Sequence, residues 1–116
     1  MKRELQKADW QDKLRVYFGF PSRLFALKVA GNSMSPTIND LDIVLYERTK
    51  KIDTGDIILL EHPYMQSVKI VKRVVKIEMD GRLTLAGDNP VESTDSRAFG
   101  TVSLESIIGK VTSKLK

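Results

Sequence analysis

A hydroxyl and an amine are the two groups in this chain best suited to covalent chemistry. Ser33 lies in Gly31-Asn32-Ser33-Met34-Ser35-Pro36-Thr37, a cluster of small and turn-forming residues directly after an alternating apolar stretch, where a hydroxyl sits exposed at a bend. A serine becomes a nucleophile only when a neighbouring group takes its proton. With no cysteine and one histidine, His62, a thiolate nucleophile, a Cys/His metal cage and a serine/histidine pair are set aside. A carboxylate or a lysine remains, and lysine is the better base. Lys72 is embedded in Val68-Lys69-Ile70-Val71-Lys72-Arg73-Val74-Val75, so its surroundings are aliphatic if the strand is covered on both faces, and burial favours the neutral amine. To work near neutral pH such a lysine must fall from ~10.4 to about 7–8. Lys69 and Lys76 read instead as strand lysines that carry their charge to water. A third polar cluster, Gly87-Asp88-Asn89-Pro90-Val91-Glu92-Ser93-Thr94-Asp95-Ser96-Arg97, reads on its residues alone as a capped Asx-type turn with an Asp95/Arg97 ion pair. Each cluster taken singly also has an ordinary structural reading, a turn serine or a solvated lysine.

Positioning these groups is a task for short strands. From about Glu4 to Phe18 the spacing predicts an amphipathic helix, stopped near Gly19 and Pro21. Leu27, Val29 and Gly31 then alternate with Lys28 and Ala30. Ile43-Val44-Leu45-Tyr46 and Ile57-Ile58-Leu59-Leu60 are apolar runs too short to favour helices. A β-branched stretch from Val68 to Met79 leads into Asp80-Gly81, which suits a hairpin turn, and then into Leu83-Thr84-Leu85. Val102, Ile107-Ile108 and Val111 around Gly109 predict one more turn and a closing strand. The 116 residues fit one domain. The expected fold is mainly β, a coiled sheet or partly closed barrel with one N-terminal helix: residues 1–20 form the helix and residues 27–111 the functional β-domain.

In this order the clusters resemble the bacterial type I signal peptidases, serine/lysine proteases that share a β-fold with the self-cleaving SOS repressors. The matching blocks are GNSMSPT around Ser33, TGDIILL at 54–60, VKRVV at 71–75, GDN at 87–89 with STDSR at 93–97, and GKV at 109–111. The resemblance implies Ser33 as nucleophile, Lys72 as general base and Ser93 as the hydroxyl that orients the lysine. It implies Asp95 and Arg97, with Arg73, as an ion-pair scaffold beside the dyad, and no metal or cofactor. The Ser33 backbone N–H is the first oxyanion donor. Some family members carry a serine where this chain has Gly31, so Asn32 or another main-chain N–H is the expected second donor. Leu41 stands where the family commonly has glycine ahead of an aspartate. An extended substrate is expected along residues 27–31, with Leu27, Val29, Gly31 and Met34 shaping its pockets. Within the family the chain is similar to the anchorless maturation proteases of nickel-type superoxide dismutase, which implies a precursor protein with a cleavable N-terminal extension as substrate.

No stretch approaches the ~18–20 apolar residues of a membrane span, and the start MKRELQKADW lacks the apolar core of a secretory signal. Cytoplasmic residence is therefore expected. Residues 1–28 hold seven basic residues against three acidic, while the rest balance at twelve against twelve, so the whole net charge of +4 is N-terminal. The same segment carries Trp10, Tyr17, Phe18, Phe20 and Phe25, five of the eight aromatic residues. Closure of one end of the core is the leading expectation for them, since Leu14, Tyr17 and Phe18 recur at helical spacing. A peripheral membrane or acidic-protein contact through residues 1–28 is the alternative. No recognition motif supports nucleic acid. The competing functions are a signal-peptidase-like protease acting on another precursor, a self-cleaving regulator, and a non-catalytic module on the same fold.

Overall fold

The computed structural model describes residues 5–18, 23–65, 67–91 and 100–115. Among the described residues six strands form one antiparallel sheet: β1 (Leu24–Lys28), β2 (Ile43–Glu47), β3 (Ile57–Glu61), β4 (Lys69–Ile77), β5 (Leu83–Ala86) and β6 (Ile107–Lys114). Their order is β1-β2-β6-β3-β4-β5. The mainly β expectation holds, in its open form: β1 and β5 are the two edges, and the sheet is not closed into a barrel.

β3 explains why a short unbroken apolar run belongs here. Ile57 and Leu59 face one core cluster with Val29, Met34, Ile38, Val44, Val71 and Val111. Ile58 and Leu60 face another with Val74, Leu83, Leu85, Val102 and Ile107. A strand covered on both faces has no polar positions to alternate. β4 shares this setting at its centre, where residues 71–74 are all buried, while residues 75–77 emerge into solvent. The β4–β5 hairpin forms where Asp80-Gly81 predicts it. The Gly81 N–H donates to the Glu78 carbonyl and the Glu78 N–H to the Arg82 carbonyl, with Gly81 at φ 86°, as in a type I turn followed by a left-handed residue.

Three boundaries differ from the sequence expectation. β1 begins at Leu24 and ends at Lys28, earlier than the alternation of residues 27–31 predicts. Gly109 makes no turn: it lies inside β6, where a Cβ would run into the Glu47 carbonyl and the Tyr46 ring, so the residue answers a close backbone approach. The helix α1 covers only Trp10–Phe18. Its start is set by Asp9, whose carboxylate accepts the Asp12 N–H while the Asp12 carboxylate accepts the Asp9 N–H, a reciprocal cap of the capping-box kind. Residues before it are extended instead, with Ala8 and Gln6 hydrogen-bonded to Lys114 at the end of β6. The predicted helix stop at Gly19 and Pro21 lies outside the described residues.

Candidate active site

The loop of residues 29–42 between β1 and β2 carries Ser33. It is closed at its base by the Val29 N–H donating to the Asp42 carbonyl and the Leu41 N–H to the Val29 carbonyl. Gly31 takes φ 88° and donates its N–H to Asp40. Asn32 accepts, through its side-chain oxygen, the Asp40 N–H and the Ser35 hydroxyl. Of the main-chain candidates for a second oxyanion donor, the Gly31 N–H is thus engaged by Asp40, while the Asn32 amide oxygen, an acceptor, holds the loop together. Leu41 adopts φ 70°, a left-handed conformation in which glycine is at ease and leucine is not. That is the physical content of the departure at this position.

Opposite the loop, β4 presents Lys72, which pairs across the ladder with Ile58 and is 3% exposed. A cavity of about 170 Å³ lies between them, lined by Leu27, Lys28, Val29, Ala30 and Ser33 on one side and by Lys69, Ile70, Val71 and Lys72 on the other. The fold therefore brings Ser33, Lys72, Leu27 and Val29 to one space. Gly31 and Met34 do not line it: Met34 is 1% exposed in the core below the loop. Its sulfur-bearing chain anchors the loop, which is why an apolar residue follows Ser33. Lys69 is exposed, as expected, yet borders the same cavity. Lys76 lies further along β4, paired with Glu78 at 3.6 Å.

Arg73, next to Lys72 on the opposite face of β4, is a structural junction. Its Nε and Nη2 donate to the two carboxylate oxygens of Asp88 at 2.9 and 2.8 Å, and its Nη1 donates to the Gly55 carbonyl at 2.7 Å. The pair is buried on both sides, with the bidentate geometry that suits a guanidinium and a carboxylate. Asp88 also accepts the Thr37 hydroxyl at 2.5 Å. Beside it, Asn89 donates its N–H to the Ser33 carbonyl at 2.9 Å and its side-chain amide to the Asn32 carbonyl at 3.0 Å. Sequence reasoning assigned the scaffold to Arg73 with Asp95 and Arg97; the partner observed for Arg73 is Asp88. Ser93, Asp95 and Arg97 lie outside the described residues. Asp88, Asn89 and Thr37 were missed, although register contained the signal: Arg73 pairs with Ala86, and Asp88, two residues on, returns to the same face.

Among the described residues, no group of His, Cys, Asp and Glu side chains is arranged to hold a metal, and no helix is long and apolar enough to cross a membrane.

A mainly β fold that brings a loop serine and a buried strand lysine to one cavity fits a peptidase class. The family model described as Peptidase S24-like matches residues 4–112, and the chain belongs to that family. It is similar to mitochondrial inner membrane protease subunit 1 of Xenopus tropicalis, at 34% identity covering 71% of this chain and 63% of that protein. Subunit 1 of Homo sapiens is 32% identical, covering 74% and 66%, and subunit 2 of Danio rerio 32% identical, covering 76% and 62%. The chain spans a little less than two thirds of the length of these relatives.

Proposed function

We propose that this protein is a serine endopeptidase in which Ser33 is the nucleophile and Lys72 the general base, removing an N-terminal extension from a precursor protein. The observation that supports it most is that the Ser33 loop and the buried amine-bearing chain of Lys72 line one cavity. Burial disfavours an ammonium more than an amine. A neutral Lys72 amine takes the Ser33 Oγ proton as Oγ bonds to the scissile carbonyl carbon. The same proton passes to the leaving nitrogen as the C–N bond breaks. Water, deprotonated by the freed amine, then hydrolyses the Ser33 ester. The Ser33 N–H stabilises the negative charge that forms on the carbonyl oxygen. Asn89 holds the Asn32 carbonyl, which belongs to the same peptide plane as the Ser33 N–H, so its side chain fixes the direction of that donor. Ser93 as orienter of Lys72, and Asp95 with Arg97 as further scaffold, complete the proposal from the sequence resemblance.

Residues 27–30 offer a binding edge. β1 is an outer strand of the sheet, and Val29 directs its N–H and C=O inward to Asp42 and Leu41. By alternation the backbone groups of Lys28 and Ala30 point outward, where an extended peptide can pair. Leu27, Val29 and Ala30 leave room for small side chains before the cut.

The finer reading, cleavage of a cytoplasmic nickel-type superoxide dismutase precursor, is supported by the sequence resemblance; the relatives named above are inner membrane protease subunits. Incubation of the protein with that precursor, followed by mass spectrometry of the products, tests it. One cut that frees the mature N-terminus supports the reading. Cleavage of other precursors but not of this one would replace the substrate while keeping the enzyme.

A further inference from the structure

The apolar stripe of α1, with Trp10, Leu14 and Tyr17 at 68%, 40% and 80% exposure, faces solvent instead of closing the core as expected, and nothing in the structure shows what covers it. The cavity beside Ser33 is different, because its charge is one-sided. Lys28 lines one wall, Lys69 and Lys72 line the other, and no Asp or Glu among the described residues lines it. In the proposed mechanism the Lys72 amine is neutral, which leaves the ammonium groups of Lys28 and Lys69, both exposed. Among the described residues neither enters an ion pair, whereas Lys76 on the same strand is paired with Glu78 at 3.6 Å. Glu61 stands opposite Lys69 in the β3–β4 register, yet it forms no ion pair with Lys69 and does not line the cavity. The acids of the serine loop are turned to its backbone, Asp40 accepting the Gly31 N–H and Asp42 the Asn39 N–H.

Spacing sets where a substrate meets these lysines. β5 pairs with β4 from Arg73 to Ile77, so residues 69–72 lie beyond the end of β5 and border the cavity. Lys69 is three residues along β4 from Lys72, about 10 Å at the ~3.3 Å rise of a strand. An extended peptide advances by the same rise, so a side chain about three residues from the scissile bond comes level with Lys69. We propose that Lys69, with Lys28 across the cavity, selects precursors that carry an aspartate or glutamate about three residues before the cut. The inference rests on the protease reading and names the class of substrate that reading would take. A carboxylate at this point meets ammonium groups that have no counterion of their own, and the long lysine stem lets the charge follow it. A lysine or arginine at the same point meets like charge, so the site rejects as well as selects.

Three labelled peptides of small residues around one Ala–Ala bond, differing only in Asp, Asn or Lys at the third position before it, test the proposal. Binding is read by fluorescence anisotropy with the full-length Ser33→Ala protein, and cleavage by mass spectrometry with the wild type. The Asp peptide is expected to bind about three- to fivefold more tightly than the Asn peptide, the scale of one exposed ion pair, and the Lys peptide more weakly than either. Added salt narrows the difference. In the same background Lys69→Gln removes the preference and Lys69→Glu turns it toward the Lys peptide, while Lys76→Gln, on the exposed end of β4, keeps the original order. Equal binding of the Asp and Asn peptides overturns the proposal, as does an Asp preference that survives Lys69→Gln, or no binding of any peptide. The two readings fail separately. Ordered binding without cleavage of any peptide by the wild type removes the nucleophile and keeps the acid-selective groove; cleavage of all three with equal binding keeps the protease and removes the role of Lys69.

Discussion

Arg73 joins three segments through one buried guanidinium: its own strand β4, the turn at Gly55 and the loop at Asp88. Removing one member of a buried pair leaves an uncompensated charge, so Asp88→Ala is expected to cost about 3–5 kcal/mol in denaturant unfolding. Arg73→Met with Asp88→Leu is expected to recover most of that stability while cleavage stays impaired, because Thr37 and the serine loop lose their tie to Asp88. Recovery of both stability and activity would make the pair a replaceable core element. Asn89 is a finer case. Asn89→Ala is expected to lower kcat about tenfold with KM unchanged and stability reduced by no more than about 1 kcal/mol. An unchanged kcat would remove the clamp on the Ser33 peptide from the mechanism.

The elements show which features can be read from residue order and which need the third dimension. β3 and β4 were legible because apolar runs and Asp80-Gly81 dictate local geometry. The helix was legible as a periodic stripe, yet periodicity does not say which way the stripe faces, and Arg15–Glu47 turns it outward. Its early start was misread because Asp9 and Asp12, which cap it, sit among residues that also suit helix. Gly109 resembles a turn residue, and only the approach of Glu47 shows why it is there. The serine loop offers a stability test at this scale. Leu41 is 62% exposed and left-handed at φ 70°, so it gives up little burial and carries backbone cost. Leu41→Gly is expected to stabilise by about 0.5–1 kcal/mol, the left-handed penalty less the added entropy of the unfolded chain. A lowered melting temperature would mean that the leucine side chain supports the loop in a way its exposure does not show.

Across the whole molecule, the open sheet places an edge strand, a loop serine and a buried lysine around one cavity, and the family match over residues 4–112 puts the chain among Peptidase S24-like proteins. That Ser33 and Lys72 share one cavity was legible as a candidate site because both stand in ordered blocks of sequence; the Asp88 and Asn89 contacts emerge only when β4 and β5 are set in register. The amine must be neutral to accept a proton, so activity should rise with pH. The midpoint of kcat/KM is expected well below the ~10.4 of a free lysine. A midpoint at or above that value would remove the desolvated base.

The most direct test is cleavage of one precursor by the wild type, Ser33→Ala, Lys72→Met and Lys76→Met, with products read by mass spectrometry and folding by thermal melt. Methionine replaces a buried amine by an apolar chain of similar length, so Lys72→Met is expected to keep the fold, with a cooperative thermal melt. Ser33→Ala and Lys72→Met are expected to lose cleavage by about 10²–10⁴-fold or more, while Lys76→Met, on the exposed end of β4, cleaves as the wild type does. Full cleavage by a folded Ser33→Ala or Lys72→Met protein would contradict the assignment of nucleophile and base.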